Sequence, residues 1–313
     1  MKRISIILIA LLLLANLTSN KVKAQESGSI SISGAFALYP LVVKWAEEYK
    51  KLHPNIKIDV SAGGAGKGIT DALSNMVDIG MVSRDLNSEE EKKGAFDVAV
   101  AIDAVVPTIS ASNPNLKLII EKGLKKDGAN NIFITGKYKS WSQIIGTKGL
   151  GNINVYSRSD ACGAGETWAK YFGKRQEDLL GVGVYGDPGL ALAVSKDKLG
   201  IGYNNIAYAY DVKTKKPNPG IRIIPLDLND NGKIDPEENF YNTLDEIVNA
   251  ISTGKYPSPP ARDLYFVTNN KPAKKEIKAF INWVLTDGQK YVHDAGYINI
   301  SKKKLDKEVQ KIK

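Results

Sequence analysis

The sequence is poor in the two residues that most often carry chemistry in small sites. It contains a single cysteine, Cys162, and only two histidines, His53 and His293. One cysteine excludes an internal disulfide bond. Two isolated histidines argue against a zinc centre and against a Ser–His–Asp relay, because both need histidine beside further ligands or partners. The chain therefore lacks the residues of common hydrolytic and zinc-dependent sites.

The N-terminal apolar run is too short to span a membrane. It covers residues 4–14 with one serine in it, whereas a spanning helix needs about 20 apolar residues. Lys2 and Arg3 precede the run, and Val22-Lys23-Ala24 follows it, as in a secretory signal. We expect residues 1–24 to be a signal peptide cleaved after Ala24. Because no cysteine for a lipid anchor lies near, the prediction is an exported, periplasmic protein.

Strong charge of one sign is also missing once the signal is removed. The formal net charge of the whole chain is +9, and four of its basic residues fall within the predicted signal peptide. The remaining basic residues are dispersed except in residues 302–313, which alternate charged and apolar residues as a solvated helix does. Nucleic-acid binding is not expected, because no arginine or aromatic cluster accompanies this tail.

Short β-branched runs alternate with helical patterns, which predicts an α/β fold. Two extended runs, near residues 103–110 and 262–268, predict a two-strand hinge between two lobes. We expect lobe 1 to comprise residues 25–105 and 263–313, and lobe 2 residues 106–262. Each lobe is predicted to be a mixed β-sheet flanked by helices.

Small, glycine-bearing turns join a predicted strand to a predicted helix at three places. They are Gly34-Ala35-Phe36-Ala37, Gly63-Gly64-Ala65-Gly66-Lys67-Gly68 and Cys162-Gly163-Ala164-Gly165. Helix N-termini carry unpaired N–H donors and a partial positive charge, so these turns suit a small anion. Arg158 precedes the third turn, and Asp160 is expected to orient its guanidinium. Asp187-Pro188 is interpreted as the start of another helix.

An acidic loop, residues 227–238, fits the spacing of an EF-hand calcium loop. Its oxygen ligands would come from Asp227, Asn229, Asn231, the Lys233 carbonyl, Asp235 and Glu238. We expect a structural calcium ion there, with the Lys233 side chain pointing away. A surface turn rich in Asp, Asn and Gly is the alternative.

Two positions leave alternatives open. Arg84 follows Ser83 at a strand end and could bind the anion or form a salt bridge between the lobes. Cys162 beside an arginine and a helix start has the surroundings of a reactive thiol, so an enzyme that uses it is an alternative. A calcium-dependent adhesion module that has lost anion binding is another.

Seven stretches of the chain resemble the periplasmic phosphate-binding proteins that feed ABC importers, in the same order from about residue 29 to residue 300. The stretches are Ser33-Gly-Ala-Phe-Ala-Leu-Tyr-Pro40, Gly63-Gly-Ala-Gly-Lys-Gly-Ile69, Val77-Asp-Ile-Gly-Met-Val-Ser-Arg84, Arg158 to Glu166, Gly200-Ile-Gly-Tyr203, Gly254-Lys-Tyr-Pro257 and Gly288 to Tyr297. The resemblance implies a type II two-lobed receptor, not an enzyme, which closes on one oxyanion without a cofactor and meets a membrane permease as a monomer.

The resemblance also implies which residues touch the anion, with phosphate as the leading ligand. Together with Gly66 and Arg84, the candidates are Ala37, Leu38, Tyr39, Ala65, Ser83, Arg158, Cys162, Gly163 and Ala164. Four hydroxyl positions of the family are occupied here by Leu38, Ala65, Cys162 and Ala164. A hydrogen bond to a charged group contributes about 1.5–3 kcal/mol, and these four side chains have no hydroxyl to supply one to phosphate. Another oxyanion is therefore the alternative ligand.

Overall fold

The protein is described by a computed structural model covering residues 27–313, and the predicted signal peptide lies outside this range. The strands are β1 (Gly28–Gly34), β2 (Ile56–Ala62), β3 (Ile79–Val82), β4 (Ala95–Ser110), β5 (Leu124–Lys125), β6 (Asn154–Arg158), β7 (Val182–Val184), β8 (Gly200–Asn205), β9 (Ile221–Ile223), β10 (Leu226–Asp227) and β11 (Ala261–Asn269).

The helices alternate with these strands, as the sequence pattern predicts. They are α1 (Tyr39–Leu52), α2 (Ala65–Leu73), α3 (Ser88–Lys92), α4 (Leu116–Lys122), α5 (Lys126–Phe133), α6 (Trp141–Ile145), α7 (Gly163–Tyr171), α8 (Gly186–Lys196), α9 (Ile206–Ala209), α10 (Leu244–Ser252), α11 (Lys275–Leu285) and α12 (Lys302–Ile312). None of the helices within residues 27–313 is long and apolar enough to cross a membrane.

The main sheet is mixed, with the order β2-β1-β3-β11-β4-β8-β6-β7 and with β9 beside β4. β1 pairs in parallel with β2 and β3, and β6 pairs in parallel with β7 and β8. The central strands β4 and β11 are antiparallel to each other and to their outer neighbours β8 and β3. Parallel strands bring their carboxyl ends to one edge, and helix starts follow there.

The strands β4 and β11 coincide with the two extended runs of the sequence. β11 pairs with residues 95–104 of β4, and β8 pairs with residues 105–109 of the same strand. The 16-residue β4 therefore belongs to both halves of the sheet. This arrangement is the one expected of a two-strand hinge.

The buried apolar side chains form two hydrophobic clusters. One contains Trp45 and Trp283 with the residues that follow β1 and β2, and the other contains Trp141 and Trp168. Two cores joined by two long strands make a two-lobed molecule.

The C-terminal helix α12 is less solvated than its sequence suggests. Its last residue, Ile312, is buried in the first cluster, and Lys311 pairs with Asp97 of β4 at 2.8 Å. The alternation of charged and apolar residues there is thus the pattern of an amphipathic helix packed on the lobe.

Candidate functional site

The three small-residue turns meet at the seam between the two lobes. The Gly66 amide at the start of α2 donates a hydrogen bond to the Ala161 carbonyl at 3.2 Å. An ideal Cβ at Gly163 would lie 2.2 Å from both the carbonyl oxygen and the Oγ of Ser83. One at Gly64 would lie 2.8 Å from Asp160 Oδ2. Only glycine allows these approaches, so the lobes are closed on each other here.

Replacing Gly163 by alanine should hold the lobes apart. Overpacking a tight contact costs about 1–3 kcal/mol. Because the closed, ligand-bound form would carry this cost, we expect anion affinity to fall about tenfold. Calorimetric titration of the variant measures this loss. Gly128→Ala is the matched control, since its new Cβ would find only ordinary contacts of 3.7 Å or more. An unchanged affinity for Gly163→Ala would contradict a ligand site that needs this contact.

Two backbone amides that directly follow the first turn are hydrogen-bonded within the chain. Leu38 N–H donates to the Ala35 carbonyl at 3.1 Å, and Tyr39 N–H donates to the same oxygen at 3.2 Å. In the third turn, Cys162 N–H donates to Gln176 Oε1 at 2.9 Å. Helices leave their first N–H groups without intrahelical partners. Among residues 27–313, no acceptor meets the amides of Ala65, Gly163 and Ala164.

The side chains at four predicted positions are buried and lack oxygen. Leu38, Ala65, Cys162 and Ala164 are all at most 5% exposed. Ser83 is buried as well, and it keeps a hydroxyl at the seam. A ligand at this seam would therefore be recognised mainly by backbone amides, one hydroxyl and a guanidinium.

Arg158 lies at the end of β6 with its side chain 1% exposed. Nε and Nη2 donate to the two carboxylate oxygens of Asp160, with the Nε bond at 2.7 Å. This is the two-point pairing predicted for Asp160. Burial alone would lower the pKa of Arg158, but Asp187 and Asp160 raise it above its ordinary value. The guanidinium is thus fixed and permanently charged.

Three polar residues that the sequence did not reveal as part of the site form a chain of contacts that begins at Arg158. Asp187 accepts a hydrogen bond from Arg158 Nη1 through Oδ2, and its Oδ1 accepts one from Asn205 Nδ2 at 2.6 Å. Asn205 Oδ1 in turn accepts from Arg262 Nη2. A chain of contacts therefore links Arg158 to the hinge strand β11. The sequence signal was confined to Asp187-Pro188, which is interpreted above as a helix start.

Asp187 does begin a helix, but it lies within the first turn of α8 instead of capping it. The N-cap is Tyr185, which makes no side-chain capping bond. The Asp187 carboxylate is directed to Arg158 and Asn205, because a buried carboxylate must find charged or amide donors.

At the hinge, Arg262 and Asp103 face each other across the β4–β11 ladder. Arg262 Nη2 lies 3.5 Å from Asp103 Oδ2, and Arg262 Nε donates to the Ser83 carbonyl at 2.8 Å. Burial raises the pKa of Asp103 to about 7, although Arg262 opposes the shift. No side chain within residues 27–313 donates a hydrogen bond to either Asp103 carboxylate oxygen.

Arg84 lines a cavity between the two halves of the molecule together with Glu166 and Thr167, but its guanidinium is already paired. Its Nη1 and Nη2 donate to the two carboxylate oxygens of Glu90 at 2.9 and 2.7 Å. Glu90 also accepts from the Asn87 amide in a capping box at the start of α3. Both residues of the pair lie within residues 25–105, so this ion pair is not a salt bridge between the lobes, and an anion would have to compete with Glu90 for Arg84.

Cys162 has a buried, protonated thiol. Burial raises the pKa of Cys162 to about 12, although Arg158 acts in the opposite direction. Its sulfur accepts a hydrogen bond from Gly165 N–H at 3.2 Å, as an N-cap of α7. A nucleophilic cysteine needs an accessible thiolate, so these surroundings argue against an enzyme that uses Cys162.

Carboxylates of the acidic loop accept hydrogen bonds from the backbone amides of the same loop. Asp227 accepts from the amides of Asn231 and Gly232, and Glu238 accepts from the amides of Leu228 and Asn229. The Lys233 ammonium, expected to point away, pairs with Asp235 Oδ1 at 2.7 Å. Within residues 27–313 no group of three or more His, Cys, Asp or Glu side chains is placed to hold a metal ion. The calcium prediction therefore gains no support from the geometry.

Comparisons with known proteins match nearly the whole chain. The phosphate-binding protein PstS of Bacillus subtilis is 28% identical over 302 residues, covering 94% of this chain and 88% of the relative. PstS of Methanocaldococcus jannaschii is 27% identical over 329 residues, covering 88% and 84%. The matches span both lobes and both hinge strands.

Solved structures establish the same fold. A phosphate ABC transporter substrate-binding protein from Clostridium perfringens, with bound phosphate, superposes with a TM-score of 0.71 at 24% identity over 88% of this chain and all of that one. An ABC-type phosphate transport receptor from Vibrio cholerae gives a TM-score of 0.63 at 19% identity over 87% and 100%. The model of the PBP superfamily domain matches residues 19–288. The chain belongs to the PBP superfamily.

Proposed function

We propose that this chain is a receptor that binds a small oxyanion, phosphate first among them, at the seam between its lobes. The observation that carries the proposal is the buried, charged Arg158, which acts electrostatically on Cys162 at the N-cap of α7, the helix whose Gly163 and Ala164 amides have no acceptor within residues 27–313. A guanidinium and helix N-terminal amides are the groups that bind oxyanions in proteins. Relatives named phosphate-binding proteins over most of the chain make phosphate the leading ligand.

The other proposed contacts complete the same site. Ser83 would supply the remaining hydroxyl, Ala37 and Ala65 would supply backbone amides, and Leu38 and Tyr39 would form the wall of the first turn. Tyr208 donates from the second lobe to the Phe36 carbonyl at 3.1 Å, which supports closure across this wall. Recognition of this kind is non-covalent and requires no cofactor.

The receptor is further proposed to be exported and to deliver its ligand to the permease of an ABC importer. The supporting features are the signal-like residues 1–24 and the relatives' match to both lobes. The lobe boundaries at residues 105–106 and 262–263 remain part of the proposal, supported by the two hydrophobic clusters.

A calorimetric titration of ligand-stripped mature protein tests the function. Phosphate should bind with a single site, and sulfate and molybdate titrated in parallel define the selectivity. Binding of another oxyanion in place of phosphate would keep the receptor but change its ligand. The absence of any heat with all three anions would reject the oxyanion receptor and favour the calcium-dependent adhesion role.

Calcium at residues 227–238 is a separate proposal, supported only by the donor spacing of the loop. Removal of calcium by a chelator should then lower the midpoint of thermal unfolding, because an ion that binds only the folded chain stabilises it. Glu238→Gln should abolish that response, and magnesium should not replace calcium. A midpoint that ignores both chelator and added calcium would leave the loop as a surface turn.

A further inference from the structure

Asp187 is a second carboxylate bound to Arg158. Its side chain is 2% exposed, and both of its oxygens accept hydrogen bonds, from Arg158 Nη1 and from Asn205 Nδ2. It also lies in the first turn of the 11-residue helix α8, where the helix dipole favours a negative charge. A guanidinium, an amide and a helix start are the same groups that are expected to bind an oxyanion. Here the chain supplies an anion of its own.

The two carboxylates on Arg158 hold different parts of the guanidinium. Asp160 pairs with Nε and Nη2, which fixes the plane of the fork. Asp187 takes Nη1. An arginine has five N–H donors, and these contacts use three of them. Asp160 therefore orients the guanidinium, whereas Asp187 occupies Nη1 and leaves two N–H donors for an entering ligand.

The contact between Asp187 and Arg158 does not depend on closure. Both residues lie within residues 106–262, and so does Asn205. The three side chains belong to β6, β8 and α8, and β6 pairs directly with β8. Separation of the lobes would leave this cluster intact. A ligand that arrives at the open cleft would meet Arg158 already bound to Asp187.

We infer that Asp187 is a specificity-determining residue that competes with the oxyanion for Arg158 and weakens anion binding. An entering anion must displace a charge-assisted hydrogen bond or accept a second negative charge beside it. Either event disfavours fully ionised anions most, because like charges repel strongly in a site sheltered from water. This inference rests on the proposed function, since it concerns the same seam.

The test compares two substitutions that remove one carboxylate charge each. Asp187→Asn should bind phosphate about tenfold or more tightly than the natural chain, because one charged hydrogen bond no longer has to be exchanged. Asp160→Asn, the matched control, should bind more weakly, because the guanidinium loses its orientation. Asp187→Ala is the second variant, since it removes the carboxylate without requiring an amide to be placed. Calorimetric titration with phosphate and with sulfate measures all of them, and thermal unfolding checks that each is folded.

The outcomes separate this inference from the proposed function. If the natural chain binds phosphate and both Asp187 variants bind it equally or more weakly, the proposed role of Asp187 is wrong. The proposal of an oxyanion receptor then still stands. Binding that appears only in the Asp187 variants supports the role of Asp187 and rejects phosphate as the ligand of the natural chain. No binding by any folded variant rejects both.

Discussion

Replacing Arg158 by methionine is expected to abolish measurable phosphate binding and to destabilise the fold together. The substitution leaves Asp160 and Asp187 buried without their counter-ion. Removing one partner of a buried ion pair costs about 3–5 kcal/mol. Urea unfolding measures that cost as a lower transition midpoint, and calorimetric titration of the folded variant measures the loss of the ligand.

Arg175→Met is the matched control for this substitution. Its guanidinium lies in the same lobe, is 78% exposed, and approaches Glu177 no closer than 3.9 Å. Exposed substitutions of this kind usually change stability by less than about 0.5 kcal/mol, so both binding and unfolding should stay as in the natural chain. Equal stability of the Arg158 and Arg175 variants would mean that the buried carboxylates do not depend on Arg158.

Replacing Arg262 by methionine is expected to have an effect of similar size at the hinge. Arg262 holds the Ser83 carbonyl and Asn205 while it faces the buried Asp103. Its loss leaves a fully buried carboxylate unpaired, which again costs about 3–5 kcal/mol. Anion affinity should also fall, because Ser83 at the seam loses the hydrogen bond from Arg262 that holds its carbonyl.

The prediction for Arg262 also implies how stability changes with pH. The pKa of Asp103 is raised to about 7 in the folded chain, so the folded state binds more protons than the unfolded state between about pH 4 and pH 7. Stability contributed by this group therefore falls as pH rises through that window. The free energy of unfolding that Arg262→Met loses relative to the natural chain should be largest above pH 7. This loss should be smaller at pH 5, where Asp103 is neutral.

A double variant decides whether the pair acts as a unit. Arg262→Met combined with Asp103→Leu replaces the ion pair by apolar groups, which is often close to neutral in stability. The double variant should therefore be more stable than Arg262→Met alone at pH 8. Strict additivity of the two single effects would show that Arg262 and Asp103 do not interact.

The local parts of the site could be predicted from the sequence, and its long-range contacts could not. A strand followed by glycines and a helix start is a pattern within a few residues, so the turns at Gly64 and Gly163 were identified. Asp160 is two residues from Arg158, and its pairing followed from that spacing. Asp187 is 29 residues from Arg158 and Arg262 is 57 residues from Asn205. Such pairings depend on which strands become neighbours, and a single sequence does not encode this in a readable pattern.

Arg84 has a partner that its position at a strand end did not predict. Its position after Ser83 is that of a ligand-binding residue, yet a helix begins four residues later and Glu90 in its first turn takes the guanidinium. The charge of a side chain at a strand end indicates what it can bind, but its nearest opposite charge decides what it does bind. At Arg158 the same competition is resolved by two carboxylates, one of them 29 residues distant.

The burial of Cys162 makes the rate of its chemical modification a measure of cleft opening. The only thiol of the sequence lies at the seam, is 5% exposed and has its pKa raised to about 12 by burial. We expect a reagent that modifies thiolates to reach it mainly while the lobes are apart. Because domain motions are faster than thiol modification, the rate of modification measures the fraction of time that the cleft is open in the natural chain, without an attached label or an introduced residue. A bound ligand that holds the seam shut should slow that rate in proportion to the time the cleft remains closed.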